Sequence, residues 1–190
     1  MTHLIGDKGS VPQLGEVAAH IGVPLADLEA IVPSVEALMV KMAENAMVLL
    51  HHACVQSIAQ ASSDDPVEQF VALADGYLEW GYRYPREFRI IGAMPAADFQ
   101  SNQKLLRYEE SIRELMLRIL KRGQARSTIP QSLDVQTFIA IAQTYAFGVV
   151  TLMLLGDLSR WNSGLPPREA ARLNLRTFIN QFLNRTETPC

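Results

Sequence analysis

Cysteine is scarce in this chain of 190 residues. Only Cys54 and Cys190 occur, and they form no spaced pair. A disulfide framework is not indicated, and a reducing cytoplasm fits this usage. Asn-Gly and Asp-Gly steps between alternating apolar runs are missing, so nothing marks a β-hairpin. Also absent are a Gly-rich phosphate loop, Gly-x-Ser-x-Gly and His-Glu-x-x-His, and no feature calls for an enzyme or a cofactor. Positive charge is in short supply: 17 Lys and Arg face 20 Asp and Glu, a net −3 that gives no global support for nucleic-acid binding. The opening "MTHLIGDKGS" is too short and too polar for a signal peptide.

Apolar residues are plentiful at 48%, enough for a substantial core in one domain, or one domain with a small appendage. Nearly every long segment runs at helical period, between breakers at Gly22-Val23-Pro24, Pro33, 62–66, Pro85, Pro95, 123–130, Gly156 and 164–167. The spacing predicts helices near 13–20, 24–30, 34–61, 66–83, 86–93, 100–125, 134–155 and 167–185, after a short remnant that includes Leu4 and Ile5. Ser34 and Asp134 stand where side chains cap free backbone amides. Residues 135–156 carry no charge, about the length of a bilayer span. Thr137, Thr144 and Thr151, with Gln136 and Gln143 beside the first two, put a polar strip along that helix. The strip favours burial in protein over a membrane span.

"EVAAHIGVPLADLEAIVPSVEAL", from Glu16 to Leu38, has the build of a helix-turn-helix. Val17, Ala18, Ala19 and Ile21 give the first helix small apolar contacts, and Gly22 allows the turn. Leu25, Leu28 and Ile31 are expected to face back as anchors of the second helix. The wider stretch "LIGDKGS…LGEVAAHIGVPLADLEAIVPSVEALM" resembles the DNA-binding region of TetR-family transcriptional regulators. Gly6 and Gly9 match the first turn, Val17, Ala18, Gly22 and Val23 the second element. Pro33, Ser34, Glu36, Ala37 and Leu38 match the opening of the long linking helix. "YLEWGYRYPREFRIIGAMP" is similar to one class of the family's ligand-binding domains, in which a helix breaks before an aromatic-rich turn, here at Tyr84-Pro85 with Phe88 beyond.

The resemblance implies an all-α fold: an N-terminal helix-turn-helix over 1–45, then a helical ligand-binding and dimerisation domain over 46–190. It implies a homodimer, with DNA and a small apolar or aromatic effector as partners. DNA-facing positions would be Pro24, Leu25, Ala26, Asp27, Leu28, Ser34 and Lys41. A pocket would draw on Trp80, Tyr82, Phe88, Met94, Phe99, Met116 and Tyr145, of which two or three are expected to line a cavity and the rest to pack. Phe138, Tyr145, Val149, Leu152, Leu175, Phe178 and Phe182, on the last two long helices, would clasp a second copy.

The chain departs from the family in two ways. Only Met1 to Ile5 precede Gly6 where the family carries about 20 residues, so the first helix is truncated or the true start lies upstream. The recognition helix offers Asp27 and Glu29 but no Lys, Arg, Asn or Gln, and the Lys that follows Pro-Ser in the family is Val35. Residues 1–45 hold two lysines against six acids, a net −4. DNA affinity rests largely on cations neutralising phosphates, and base edges are read by Arg, Lys, Asn or Gln. Two readings therefore stay open: a ligand-responsive regulator, acting as a repressor in the family's usual mode, and a ligand-binding or protein-interaction module without operator binding.

Other groups have ordinary explanations. His51 and Cys54, one helical turn apart in "HHAC", lack a second pair of ligands and are expected to be structural rather than a metal site. Glu109-Glu110 and Asp64-Asp65 suit solvated helix positions. Arg83, Arg86 and Arg89 form a basic face beside the Tyr-Pro break.

Overall fold

The computed structural model describes residues 13–162 and 164–183. Among them there are nine α-helices and no strand: α1 Leu14–Ile21, α2 Leu25–Ile31, α3 Val35–Gln60, α4 Pro66–Arg83, α5 Pro85–Ala93, α6 Ala96–Ser101, α7 Gln103–Ala125, α8 Val135–Leu155 and α9 Pro167–Leu183. A 3-10 turn, Asp157–Arg160, follows α8. The expected remnant at Leu4 and Ile5 lies outside the described residues.

Local chemistry sets the boundaries. α1 stops at Gly22, whose φ of 74° is left-handed and costs glycine least. Ser34 caps α3 through its hydroxyl, 3.1 Å from the Ala37 amide. Asp65 accepts from the Val67 amide at 2.7 Å and Pro66 opens α4, where its missing N–H is no loss. Asp134 caps α8, and Gly156 (φ 77°) ends it. Tyr84 lies between α4 and α5 because Pro85 cannot donate to a continuing helix. The sequence pattern starts a single helix at 100 and leaves most of α6 unassigned. The structure divides α6 from α7 at Asn102, whose carboxamide caps α7 through the Lys104 and Leu105 amides at 2.9 and 3.1 Å.

α4 is the central element, touching α3, α5, α7, α8 and α9. Its approach to α3 depends on Gly76: a Cβ there would lie 2.8 Å from the Ala53 carbonyl oxygen and 2.8 Å from Ser57 Oγ. Leu78, Trp80, Leu105, Leu120, Val150 and Leu183 are fully buried in the resulting core. A ladder of ions fixes α9 against α4. Arg172 bonds Asp75 at 3.3 Å and Glu79 at 2.6 Å, Arg176 bonds Asp75 at 2.6 Å, and Arg168 grips Glu79. One-turn spacing on both helices makes the register self-consistent.

The N-terminal head is a satellite. Val17, Ala18 and Leu28 form its small core, with Leu14 and Leu38 against them. Leu25 and Ile31, expected to anchor beside Leu28, are instead 42% and 80% exposed. Each three-residue step turns a helix by about 300°, so residues flanking Leu28 swing off the contact line. Val32, just past α2, is buried. The boundary expected at residue 45 falls within α3, which runs unbroken from head to body.

Candidate functional site

A cavity of about 690 Å³ opens among α3, α4, α5, α6, α7 and α8. The Tyr-Pro step ends α4 and opens α5, whose Phe88, Ile91 and Gly92 line the cavity wall. Five of the seven residues expected around a pocket line it: Trp80, Phe88, Met94, Phe99 and Met116. Two do not. Tyr82 is half exposed on the opposite side of α4, with the Arg168 guanidinium 4.8 Å from its ring centre. Tyr145 stacks on Phe178 at 4.4 Å, on the outer surface of α8 and α9. Sequence reasoning missed the contributions of α3 (Met47, Leu50) and of the α8 stripe Gln136, Ile139, Ala140, Gln143 and Phe147. A signal exists for the stripe: those α8 positions recur at helical spacing and define one face.

α3 reaches from the head to the cavity. Leu38 packs on the head's core while Met47 and Leu50 line the cavity wall. Nine residues of helix separate Leu38 from Met47, about 14 Å. Between them Glu44, buried on α3, accepts from Lys104 at 3.0 Å and from Asn102 at 3.3 Å. The Lys104 bond is the chief reason its carboxyl is held below the usual range. Asn102 is the joint between α6 and α7, so one carboxylate ties the cavity's outer wall to the helix that carries the head.

The outer face of α8 and α9 carries an apolar stripe among exposed polar residues such as Thr144, Thr177 and Gln181. Ile141, Tyr145, Leu152 and Leu155 are exposed along α8, and nothing lies within 4 Å of a Cβ placed at Gly148 between them. Phe178 is half-buried beside them and Phe182 is 37% exposed. Three residues expected to meet a second copy are corrected by their placement: Phe138, Val149 and Leu175 lie inside the subunit's own core. They occupy the inward side of the same helices, a distinction an uncharged helix does not reveal. α8 is long and apolar enough to cross a membrane by length and composition, yet it packs on α4, α7 and α9. Thr144 and Thr151 satisfy their hydroxyls on their own helix, at Ala140 O (2.9 Å) and Phe147 O (2.7 Å).

On the head, Pro24, Leu25, Ala26 and Asp27 are exposed, as is Lys41. Leu28 is not; it anchors α2 and has no access to a groove. Ser34 spends its hydroxyl on the α3 cap. Val35, at the family's lysine position, is buried. Glu36 is exposed, and its carboxyl is held below the usual range by the free amide at the start of α3 and by Ser34. Asp27 and Glu29 add exposed acids on α2.

The remaining chemistry is structural. His51 bonds Ser111 at 3.0 Å, and Cys54 is buried, which pushes its thiol up to about 12. Asp64 pairs with Arg126 at 2.8 Å, Asp65 caps α4, and Glu110 holds Arg113. Arg83, Arg86 and Arg89 are exposed.

No protein-family model matches the chain, and no curated protein matches it at a significant level. Solved structures do match. A protein of unknown function from Rhodococcus sp. RHA1 superposes with a TM-score of 0.73 at 21% identity, over 95% of this chain and 90% of that one. The TetR family transcriptional regulator PfmR from Thermus thermophilus superposes with a TM-score of 0.66 at 19% identity, over 96% of each chain. At such identities the likeness concerns architecture: the chain has an all-α, TetR-like fold.

Proposed function

We propose that this chain is a ligand-responsive transcriptional regulator of the TetR type, non-enzymatic and cytoplasmic, acting as a homodimer that presents two helix-turn-helix heads. One observation carries the reading: the same helix, α3, bears the head at one end and forms part of the cavity wall at the other. A ligand that prefers one placement of α3 would bias the separation of the two heads, which is the coupling a regulator needs. The cavity volume suits the role, since small-molecule sites span roughly 300–1,000 Å³ with mostly apolar walls. The exposed stripe on α8 and α9 supports pairing of two copies, because large contiguous apolar patches on a lone subunit are uncommon.

The acidic head favours a second reading, a ligand-binding or protein-interaction module on the same scaffold. Asp27, Glu29 and Glu36 are exposed where a reader of DNA needs cations. Fluorescence anisotropy separates the two. The full chain is titrated onto labelled duplexes from the region flanking its own gene, from about 50 to 200 mM salt. Specific binding that weakens steeply with salt supports the regulator. Absence of binding at the lowest salt rejects operator recognition and leaves the module.

A further inference from the structure

The polar groups around the cavity are unequal in what they have left to give. Arg113 is the cavity's cation, and Glu110 already holds it through bonds of 2.9, 2.8 and 2.7 Å. Glu109 stands beside it, so the three together carry a net −1. Those bonds use Nε and Nη2, so an entering anion would shed water to meet a cation whose charge Glu110 already matches, an unfavourable exchange. A cation fares little better. Phe88 and Phe147 already cover one another's faces, stacked at 5.1 Å and 20°, and Trp80 leans against the same Phe88 ring, 5.8 Å away and tilted by 58°. Beyond Glu109, itself exposed to solvent, no carboxylate lines the wall.

The neutral groups differ in another way: Gln136 and Gln143, though exposed to solvent like Glu109, are held by no partner among the described residues and can exchange water for a ligand. Among the described residues the side-chain amides of Gln136 and Gln143 make no hydrogen bond, and both lie on the α8 face that lines the cavity. The Trp80 ring belongs to the opposite wall, and its Nε1 is buried with no partner. A carboxamide both donates and accepts, and an indole donates.

Resting on the cavity being an effector site, we infer that it selects an uncharged amphiphile: an alicyclic or aromatic body bearing a carbonyl, amide or hydroxyl group that pairs with Gln136 and Gln143. The test uses the full chain carrying Trp161→Phe, which leaves Trp80 as its single tryptophan. Trp80 emission is followed during titration with three matched probes at neutral pH: cyclohexylbutanamide, cyclohexylbutanoate and cyclohexylbutylamine. Nile red uptake serves as a separate measure of whether the cavity admits any apolar molecule. The amide should bind at least about tenfold more tightly than either charged probe, since its polar end alone is fully paired. Adding Gln136→Leu and Gln143→Leu should erase that margin while circular dichroism and Nile red uptake stay unchanged. Nile red uptake with equal binding of all three probes, tighter binding of the acid or the amine, or binding of none overturns the selectivity and leaves the effector site standing. Failure of Nile red and of every probe overturns both.

Discussion

α2 and α4 differ in how much of each is covered. One residue of seven is buried in α2, Leu28, whereas eleven of eighteen are buried in α4. Where the core of α4 demands residues of particular size, the surface of α2 is almost free of packing constraint. Its acids are therefore not required by folding. Asp27 and Glu29 could be exchanged at little structural cost, and their sign says more about what the head meets than about what holds it together.

The comparison breaks first in the body. Leu78→Ala empties a fully buried site on α4, and should cost about 2–5 kcal/mol in urea unfolding followed by circular dichroism. Gly76→Val, which places atoms where the Ala53 carbonyl stands 2.8 Å from a Cβ, should cost about 1–3 kcal/mol by the same measurement.

Leu28→Ala is the matching change in the head, and its result should look different. About 2 kcal/mol of local burial is lost, and hydrogen exchange should quicken across α1 and α2 while α4 keeps its protection. Equal loss of protection in both regions would remove the distinction between satellite and core.

Glu44→Gln probes the tie between α3 and the Asn102 joint. Its folded carboxyl is lowered, chiefly by the Lys104 bond, so its contribution is full above the ordinary glutamate value and fades as pH falls through the folded one. The variant should be about 1–2 kcal/mol less stable at neutral pH. That gap should close in acid as the wild type loses the same contribution.

The smallest expected effect on stability belongs to the double change Asp27→Lys with Glu29→Lys, within about 0.5 kcal/mol. It should nevertheless steepen the salt dependence of binding to duplex DNA by about one to two units on logarithmic axes. Unchanged binding would mean that α2 does not approach the phosphates.

The fold is largely legible in the sequence because helices announce themselves through period and caps. Ser34, Asp134, Gly22 and Gly156 stand where the structure begins or ends helices. The break at Asn102 is not legible, since a capping carboxamide within a helical pattern looks like any polar surface residue. Site residues are harder to place. Trp80 and Phe88 lie near the Tyr-Pro break, which marks their surroundings, but Tyr82 and Tyr145 share that composition and face elsewhere. On α8, where no charge labels a side, Val149 and Leu152 look equivalent in sequence; one is core and the other surface. The ladder from Asp75 and Glu79 to Arg168, Arg172 and Arg176 has a suggestive one-turn spacing, although pairing across 93 residues of separation needs the fold.

Sedimentation velocity of the full chain beside its Leu152→Glu variant tests the account most directly, because two heads can act together only if two subunits pair. The wild type should sediment as a dimer and the variant, with a charge set in the outer stripe of α8, as a folded monomer. A wild type that remains monomeric at micromolar concentration, or a Leu152→Glu chain that still pairs, would contradict it.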